Sequence, residues 1–330
     1  MTESKRLMTI VDERKLRLKL DKAIEKDKTL VDKLNKIIDK YDSNRSDNVS
    51  FKKKCETNAN SLLMKVYETP ELKDIHSARA RAKSIESLVG KIIDKKADLP
   101  KTEGNLVEIE KYRFLDEKNY EKIITDLSGI RILVRYPQQC RIVHSWVTNL
   151  FKNDPNAYIK DWINDYPTVN EEFIVERPKL YIRKGQSAED YMIPDYENIF
   201  KVTESEKGYS SIHYIVWYDK KYIEIQVRTI YDEAWGECTH DLVYKCDDET
   251  KRNLLERLSK CLAVQTVSAE SLSKYMYEIA NEEELNKERE EFLELNDDKN
   301  IDRKETIRKL EQQAKKKNNF SSFNGNVDDL

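Results

Sequence analysis

The 330-residue sequence predicts an α+β (α/β) fold, a β-sheet flanked by helices with helical extensions at both ends. Three observations carry this. Runs rich in β-branched residues cluster in the middle of the chain, at 129–136, 211–218 and 221–228. Helical periodicity precedes and follows them. Only 7 Gly and 7 Pro interrupt a chain that is 37% charged, a composition suited to long solvated helices.

In chain order, residues 13–41 read as one charged amphipathic helix, because Leu20, Ile24, Val31, Leu34 and Ile38 fall on one stripe. A polar break at 43–48 ends it. A second helix carries Leu62, Leu63 and Val66 and stops near Pro70. A third begins around Asp74 and carries Ile85, Leu88, Ile92 and Ile93. Strands follow at 129–136, 172–175 and 180–183, then the pair 211–218 and 221–228. Only Asp219 and Lys220 separate that pair, which predicts a hairpin. Helix returns from Leu254, with Leu255, Leu258 and Leu262 on one face. Beyond Asn281 the chain is Glu/Lys-rich and reads as a solvated helix followed by a disordered tail. The expected division is a helical region 1–73, a sheet domain 74–250, a helical region 251–300 and a charged tail 301–330.

Lys+Arg 59 against Asp+Glu 62 leaves a net charge of −3, so no global basic field recruits nucleic acid. No apolar run is long enough to span a bilayer, and no secretory signal follows Met1, so a cytoplasmic protein with no membrane partner is expected. Five cysteines without a Cys-x-x-Cys spacing disfavour a disulfide framework or a zinc site. Neither a P-loop nor a Gly-x-Gly-x-x-Gly turn is present. The pair His240-Asp241 lacks supporting ligands among the three other histidines, so it reads as a polar helix pair rather than a hydrolytic metal site.

More chemistry sits on the strands. Alternation places Ile223, Ile225 and Val227 on one face of their strand and Glu224, Gln226 and Arg228 on the other. Asp126 stands just before the strand that opens at Gly129. Two carboxylates entering one sheet from separate strands suit magnesium (Mg2+), which takes hard oxygen ligands. The alternatives are a solvated face, or an ion pair of Glu224 with Arg228 or Arg131. Read as helix, Lys83, Ser87 and Lys91 form a cationic, hydrogen-bonding stripe, which is also what a plain solvated basic face looks like. Gly208-Tyr209 presents an aromatic ring at the mouth of a strand, where it either stacks on a base or packs as a rim tyrosine.

In chain order these features form four blocks. They are Arg81-x-Lys83-x-x-x-Ser87, Asp126-Leu127-Ser128-Gly129-Ile130-Arg131, Gly208-Tyr209-Ser210-Ser211-Ile212-His213 and Glu224-Ile225-Gln226-Val227-Arg228-Thr229. Together they resemble the synthetase domain of RelA/SpoT-type alarmone synthetases over roughly residues 74–245, with 234–240 similar to that family's following helix. The resemblance implies a nucleotidyltransferase-like mixed sheet and transfer of pyrophosphate from ATP to the ribose 3′-hydroxyl of GDP or GTP, releasing AMP. It implies that Arg81 and Arg131 sandwich adenine, that Lys83, Ser87 and Lys91 hold the ATP phosphates, and that Asp126 and Glu224 bind magnesium. Glu224 would also take the 3′-hydroxyl proton, Tyr209 would stack on guanine with His213 beside the acceptor, and Gln226 and Arg228 would support Glu224. Ser210 stands where the family commonly has arginine or glutamine. A single-function, small-synthetase-like protein without a hydrolase domain is expected, with a homo-oligomer through the terminal helices as a possible assembly. Two alternatives stay open at this point. One is a toxin-type relative that pyrophosphorylates the tRNA 3′ end or makes adenosine alarmones, and a basic patch near Tyr209 would favour the tRNA form. The other is a non-catalytic nucleotide-binding interaction protein.

Overall fold

The computed structural model describes residues 14–42, 49–100, 107–162, 170–184, 186–205, 208–243 and 248–281, together with 7, 10, 164, 165, 167 and 246. The chain divides into two compact units, Met1–Lys274 and Tyr275–Leu330, and the sheet lies in the first. The expected tail at 301–330, the polar break at 43–48 and the side chains of His240 and Asp241 lie outside the described residues.

Among the described residues, seven strands form one mixed sheet. They are β1 (Ser77–Ala82), β2 (Ser128–Val134), β3 (Phe173–Ile174), β4 (Lys179–Ile182), β5 (Lys201–Glu204), β6 (Ser211–Tyr218) and β7 (Lys221–Thr229). The sheet runs β1-β2-β7-β6-β4-β5, with β3 on β6. β2 and β7 pair in parallel at its centre, and β6 and β7 form the expected hairpin. Asp219 and Lys220 both adopt positive φ, 46° and 60°, as a two-residue turn of matching twist requires.

Helices α1 (Arg14–Lys26), α2 (Leu30–Asp42), α3 (Phe51–Glu68), α4 (Ile85–Ala97), α5 (Cys140–Leu150), α6 (Ile230–Cys238) and α7 (Glu249–Ala280) complete the frame. The period-2 pattern of the strands decides which face they cover. Ile130, Ile132, Ile212, Tyr214, Ile223 and Ile225 bury one face under α3 and α5, in a core that includes Leu62, Val66, Val143 and Val147. A second core joins Leu34, Ile37 and Ile38 of α2 to Leu88, Ile92 and Ile93 of α4. Lys96, 1% exposed, seals that layer by donating to Asp27 Oδ2 (2.7 Å) and to the Arg113 carbonyl (3.0 Å).

Three expectations are corrected by the structure. The helix read over 13–41 is two helices broken at residues 27–29. Asp27 Oδ1 accepts from the Thr29 amide (3.2 Å) and hydroxyl (2.7 Å), a local turn that competes with helix. The helix read from Asp74 is strand β1 followed by α4. In Ser-Ala-Arg-Ala-Arg-Ala the alternation prevails over the helix propensity of its residues, because pairing with β2 gives each face of the strand a use. The expected α7 face is also split, since Leu258 is exposed while Leu255 and Leu262 are half-buried.

Candidate active site

The sheet face opposite the helical core carries polar side chains in register. Arg79, Arg131, Gln226, His213 and Lys179 lie side by side across β1, β2, β7, β6 and β4. One rung along, Arg81 and Glu224 flank Gly129. A Cβ on Gly129 would sit 3.1 Å from the Glu224 carbonyl oxygen and 3.5 Å from Arg81 Nε, so glycine lets Arg81 cross to Glu224. Glu224, at 8% exposure, is not on a solvated face.

Side chains from three strands hold the Glu224 carboxylate. His213 Nδ1 stands 3.1 Å from Oε1, while Oε2 accepts from Gln226 Nε2 (2.7 Å) and Arg81 Nη2 (3.1 Å). Gln226 in turn accepts from Arg131 Nε (3.2 Å). Burial opposes ionisation of Glu224, but the His213 hydrogen bond and the charges of His213, Arg81 and Lys91 outweigh it and hold the carboxyl well below its usual range. Of the expected partners of Glu224, Gln226 bonds it, while neither Arg228 nor Arg131 pairs with it. Arg228 donates instead to Ser211 Oγ (3.4 Å), reaches Glu233 at 3.5 Å and lies 5.5 Å from the Tyr209 ring centre, and the ion pair to Glu224 comes from Arg81.

Asp126 is flanked by Lys83 and Lys91, both 2.8 Å from Oδ2. Burial again opposes its ionisation, and the two ammoniums overcome it, so its carboxyl is also held low. Burial lowers Lys83, with Asp126 offsetting only part, whereas at Lys91 the Asp126 charge prevails and raises it. Lys83 precedes α4 rather than sitting on it. Its amide donates to the Leu127 carbonyl (2.9 Å) and its carbonyl accepts from Tyr41 Oη (2.6 Å), which pins it between β2 and α2. Ser84 caps α4 by accepting from the Ser87 amide (3.2 Å), leaving exposed Ser87 in the first helical turn. The other oxygen of Asp126, Oδ1, is buried with no hydrogen-bond partner, as is His213 Nε2.

Two cavities open on these groups. One of about 540 Å³ brings Arg81 and Arg131 together with Tyr209, Gln226, Arg228 and Trp235. The other, about 380 Å³, holds Asp126, Glu224, His213 and Lys91. The two expected sets are mixed: Tyr209, Gln226 and Arg228 share the first cavity with Arg81 and Arg131, whereas His213 shares the second with Asp126 and Lys91. Sequence reasoning missed Arg79, Glu233, Glu237 and Trp235. Arg79 and Arg131 both pair with Glu233 and Glu237, and Arg131 lies 2.7 Å from Glu233. Trp235 stacks on Tyr209 at 6.4 Å between ring centres and 18° between planes. The alternation of Arg79 with Arg81 and the i, i+4 spacing of Glu233 and Glu237 on α6 were the available signals.

A family described as a region found in RelA / SpoT proteins matches residues 80–249, just over half of the chain and all four blocks. The chain belongs to the RelA/SpoT family. Its RelA/SpoT region runs from β1 to the start of α7. Among solved structures, the chain is similar to small alarmone synthetase 1 from Bacillus subtilis, with 20% identity and a TM-score of 0.42 over 70% of this chain and 94% of that one. The same synthetase bound to its product pppGpp gives 19% and 0.39, over 69% and 93%. A GTP pyrophosphokinase family protein from Streptococcus pneumoniae gives 17% and 0.39, over 68% and 94%. No curated protein sequence matches significantly. Among the described residues, no helix is long and apolar enough to cross a membrane.

Proposed function

We propose that the protein transfers pyrophosphate from ATP to the ribose 3′-hydroxyl of GDP or GTP, making the alarmone (p)ppGpp and AMP, with residues 74–250 as the catalytic region. The observation that carries this reading is the pair of ionised, buried carboxylates Asp126 and Glu224 set among Lys83, Lys91 and Arg81 within the family-matched region. Phosphoryl-type transfer needs positioning and neutralisation of phosphate charge, and these side chains supply both.

Magnesium fits the donor set. Both carboxylates offer hard oxygens, and Asp126 Oδ1 is buried without a partner. Among the described residues no group of three His, Cys, Asp or Glu is placed to hold a metal ion, so phosphate oxygens and water would complete the shell. Once bound, the ion would neutralise charge on the transferring phosphates.

The remaining work falls to the chain. Lys83 and Lys91 turn from Asp126 to the ATP phosphates, with Ser87 at the α4 N-terminus beside them. Arg81 leaves Glu224 to stack on adenine opposite Arg131, and Tyr209 stacks on the acceptor base next to His213. The 3′-oxygen bonds to the β-phosphorus of ATP as the bond to the α-phosphate oxygen breaks. Glu224 accepts the hydroxyl hydrogen bond and then the proton. Departure of Arg81 removes one of the charges that hold the proton affinity of Glu224 down, so ATP binding itself makes this carboxylate a better base.

The test incubates the protein with labelled ATP, magnesium and, separately, GDP, GTP, ATP alone or tRNA. Labelled 3′-pyrophosphorylated guanosine nucleotide with AMP released, absent for Glu224→Gln, is expected. Label only on tRNA or an adenosine nucleotide would overturn the acceptor, and no AMP from any mixture would overturn the reaction.

A further inference from the structure

The Tyr209 segment is held from beneath by a buried network that reaches the C-terminal helix. The Ser210 amide donates to Asp232 Oδ1 (3.1 Å), and Ser210 itself is 1% exposed. Asp232 Oδ2 lies 3.4 Å from Arg183 Nη2, and the same nitrogen pairs with Glu270 of α7. Glu270 also accepts from the Thr229 hydroxyl, which caps α6. Gln186 closes the ring, accepting from the Ser210 hydroxyl and from the Arg183 amide (3.2 Å). Three turns earlier on α7, the Ser259 carbonyl accepts from Trp235 Nε1 (3.1 Å), and Trp235 is the ring stacked on Tyr209. α7 therefore holds both the backbone after Tyr209 and the ring behind it.

We propose that Glu270 is a positioning residue for Tyr209, acting through Arg183 and Asp232 on the Ser210 amide and so setting the affinity of the site for its acceptor nucleotide. The acceptor half of this inference rests on the proposed function, while the mechanical half does not. None of the network's members lines either cavity, yet the network is bonded to the residue next to Tyr209. Glu270 anchors the Arg183 guanidinium beside Asp232 and accepts from the Thr229 hydroxyl, so its removal frees both partners and the effect reaches the groups that the network orients.

The experiment uses the full chain and Glu270→Gln. Amide hydrogen exchange at Ser210 is expected to speed up about tenfold or more, the loss of roughly one charge-assisted hydrogen bond, with amides of β7 unchanged. The KM for the guanosine acceptor is expected to rise about tenfold, with the KM for ATP and kcat within roughly threefold. Unchanged exchange at Ser210 overturns the proposal, and so does faster exchange with an unaltered acceptor KM. If the parent protein transfers to no acceptor, the proposed reaction falls, and the exchange result alone decides the mechanical link. Glu270→Asp keeps the charge and must show the smaller change. Equal effects of both substitutions, accompanied by a general rise in exchange, would mark Glu270 as merely structural and sink the proposal.

Discussion

The cleft and the network beneath it each hold a pair of carboxylates, yet Asp232 of the network is pushed the opposite way from both members of the cleft pair. Asp126 and Glu224 meet Lys83, Lys91, Arg81 and His213 and are held well below the usual carboxylate range. Asp232 and Glu270 share the single guanidinium of Arg183. Burial, with the Glu270 charge added to it, pushes Asp232 up to about 7 despite Arg183 and the Ser210 amide. The network is the more deeply buried of the two and has fewer cations, so burial and cation number together set the difference. A cleft with cations in excess is suited to polyanionic substrates, and the poorer network is suited to staying shut.

The largest effect is expected at Asp126. Asp126→Asn should lower turnover by about a thousandfold or more, because both lysines lose their counter-charge and the proposed metal loses a ligand. Asp232→Asn removes charge where it is in excess, and its melting midpoint at pH 8 should hold or rise. A matching loss of stability in both variants would show that Asp126 and Asp232 are not opposites. Lys83→Met should cost about a hundredfold in kcat, a smaller effect because Lys91 remains to meet the phosphates. Tyr209→Ala should raise the acceptor KM about tenfold through lost stacking and leave the ATP KM within roughly twofold. Equal loss for both nucleotides would remove Tyr209 from the acceptor role.

Stability against pH is the gentlest test. Asp232 binds its proton more tightly folded than unfolded, so the native state holds more protons between the usual carboxylate range and about pH 7. Its contribution therefore falls as pH rises through that window and is flat above it. Asp126 and Glu224 have the opposite sign, stabilising above the usual carboxylate range and losing that as pH falls below it. Chemical denaturation from pH 5 to 8 should show the Asp232 slope, and Glu270→Gln, by leaving one carboxylate to one guanidinium, should flatten it.

How much the sequence disclosed depends on how local each feature is. The β6–β7 hairpin and the outward row of Glu224 and Gln226 are written in a two-residue turn and strict alternation, and both were legible. β1 was not, because Ala and Arg favour helix and only pairing with β2 makes the alternation count. β5 carries Lys201, Val202, Thr203 and Glu204, all exposed, with no apolar pattern to betray an edge strand. The partner of Glu224 was misjudged for a geometric reason. Arg228, two rungs away on the same strand, turns toward Glu233, whereas Arg81 reaches across Gly129 from a strand not recognised as one. The tie from Arg183 to Glu270 spans 87 residues, and nothing in either neighbourhood announces it.

The central parallel pairing also fixes when the site comes into being. His213, Glu224 and Gln226 sit on a hairpin closed by two residues, whereas Arg131 meets Gln226 across 95 residues of chain. Local pairings form early, and those that close long loops form late. Half of the cleft is therefore expected to pair before the other half. Pulse-labelling during refolding should find the β6–β7 amides protected before those of β2, and a newly made chain should acquire nucleotide binding only at the last step of its maturation.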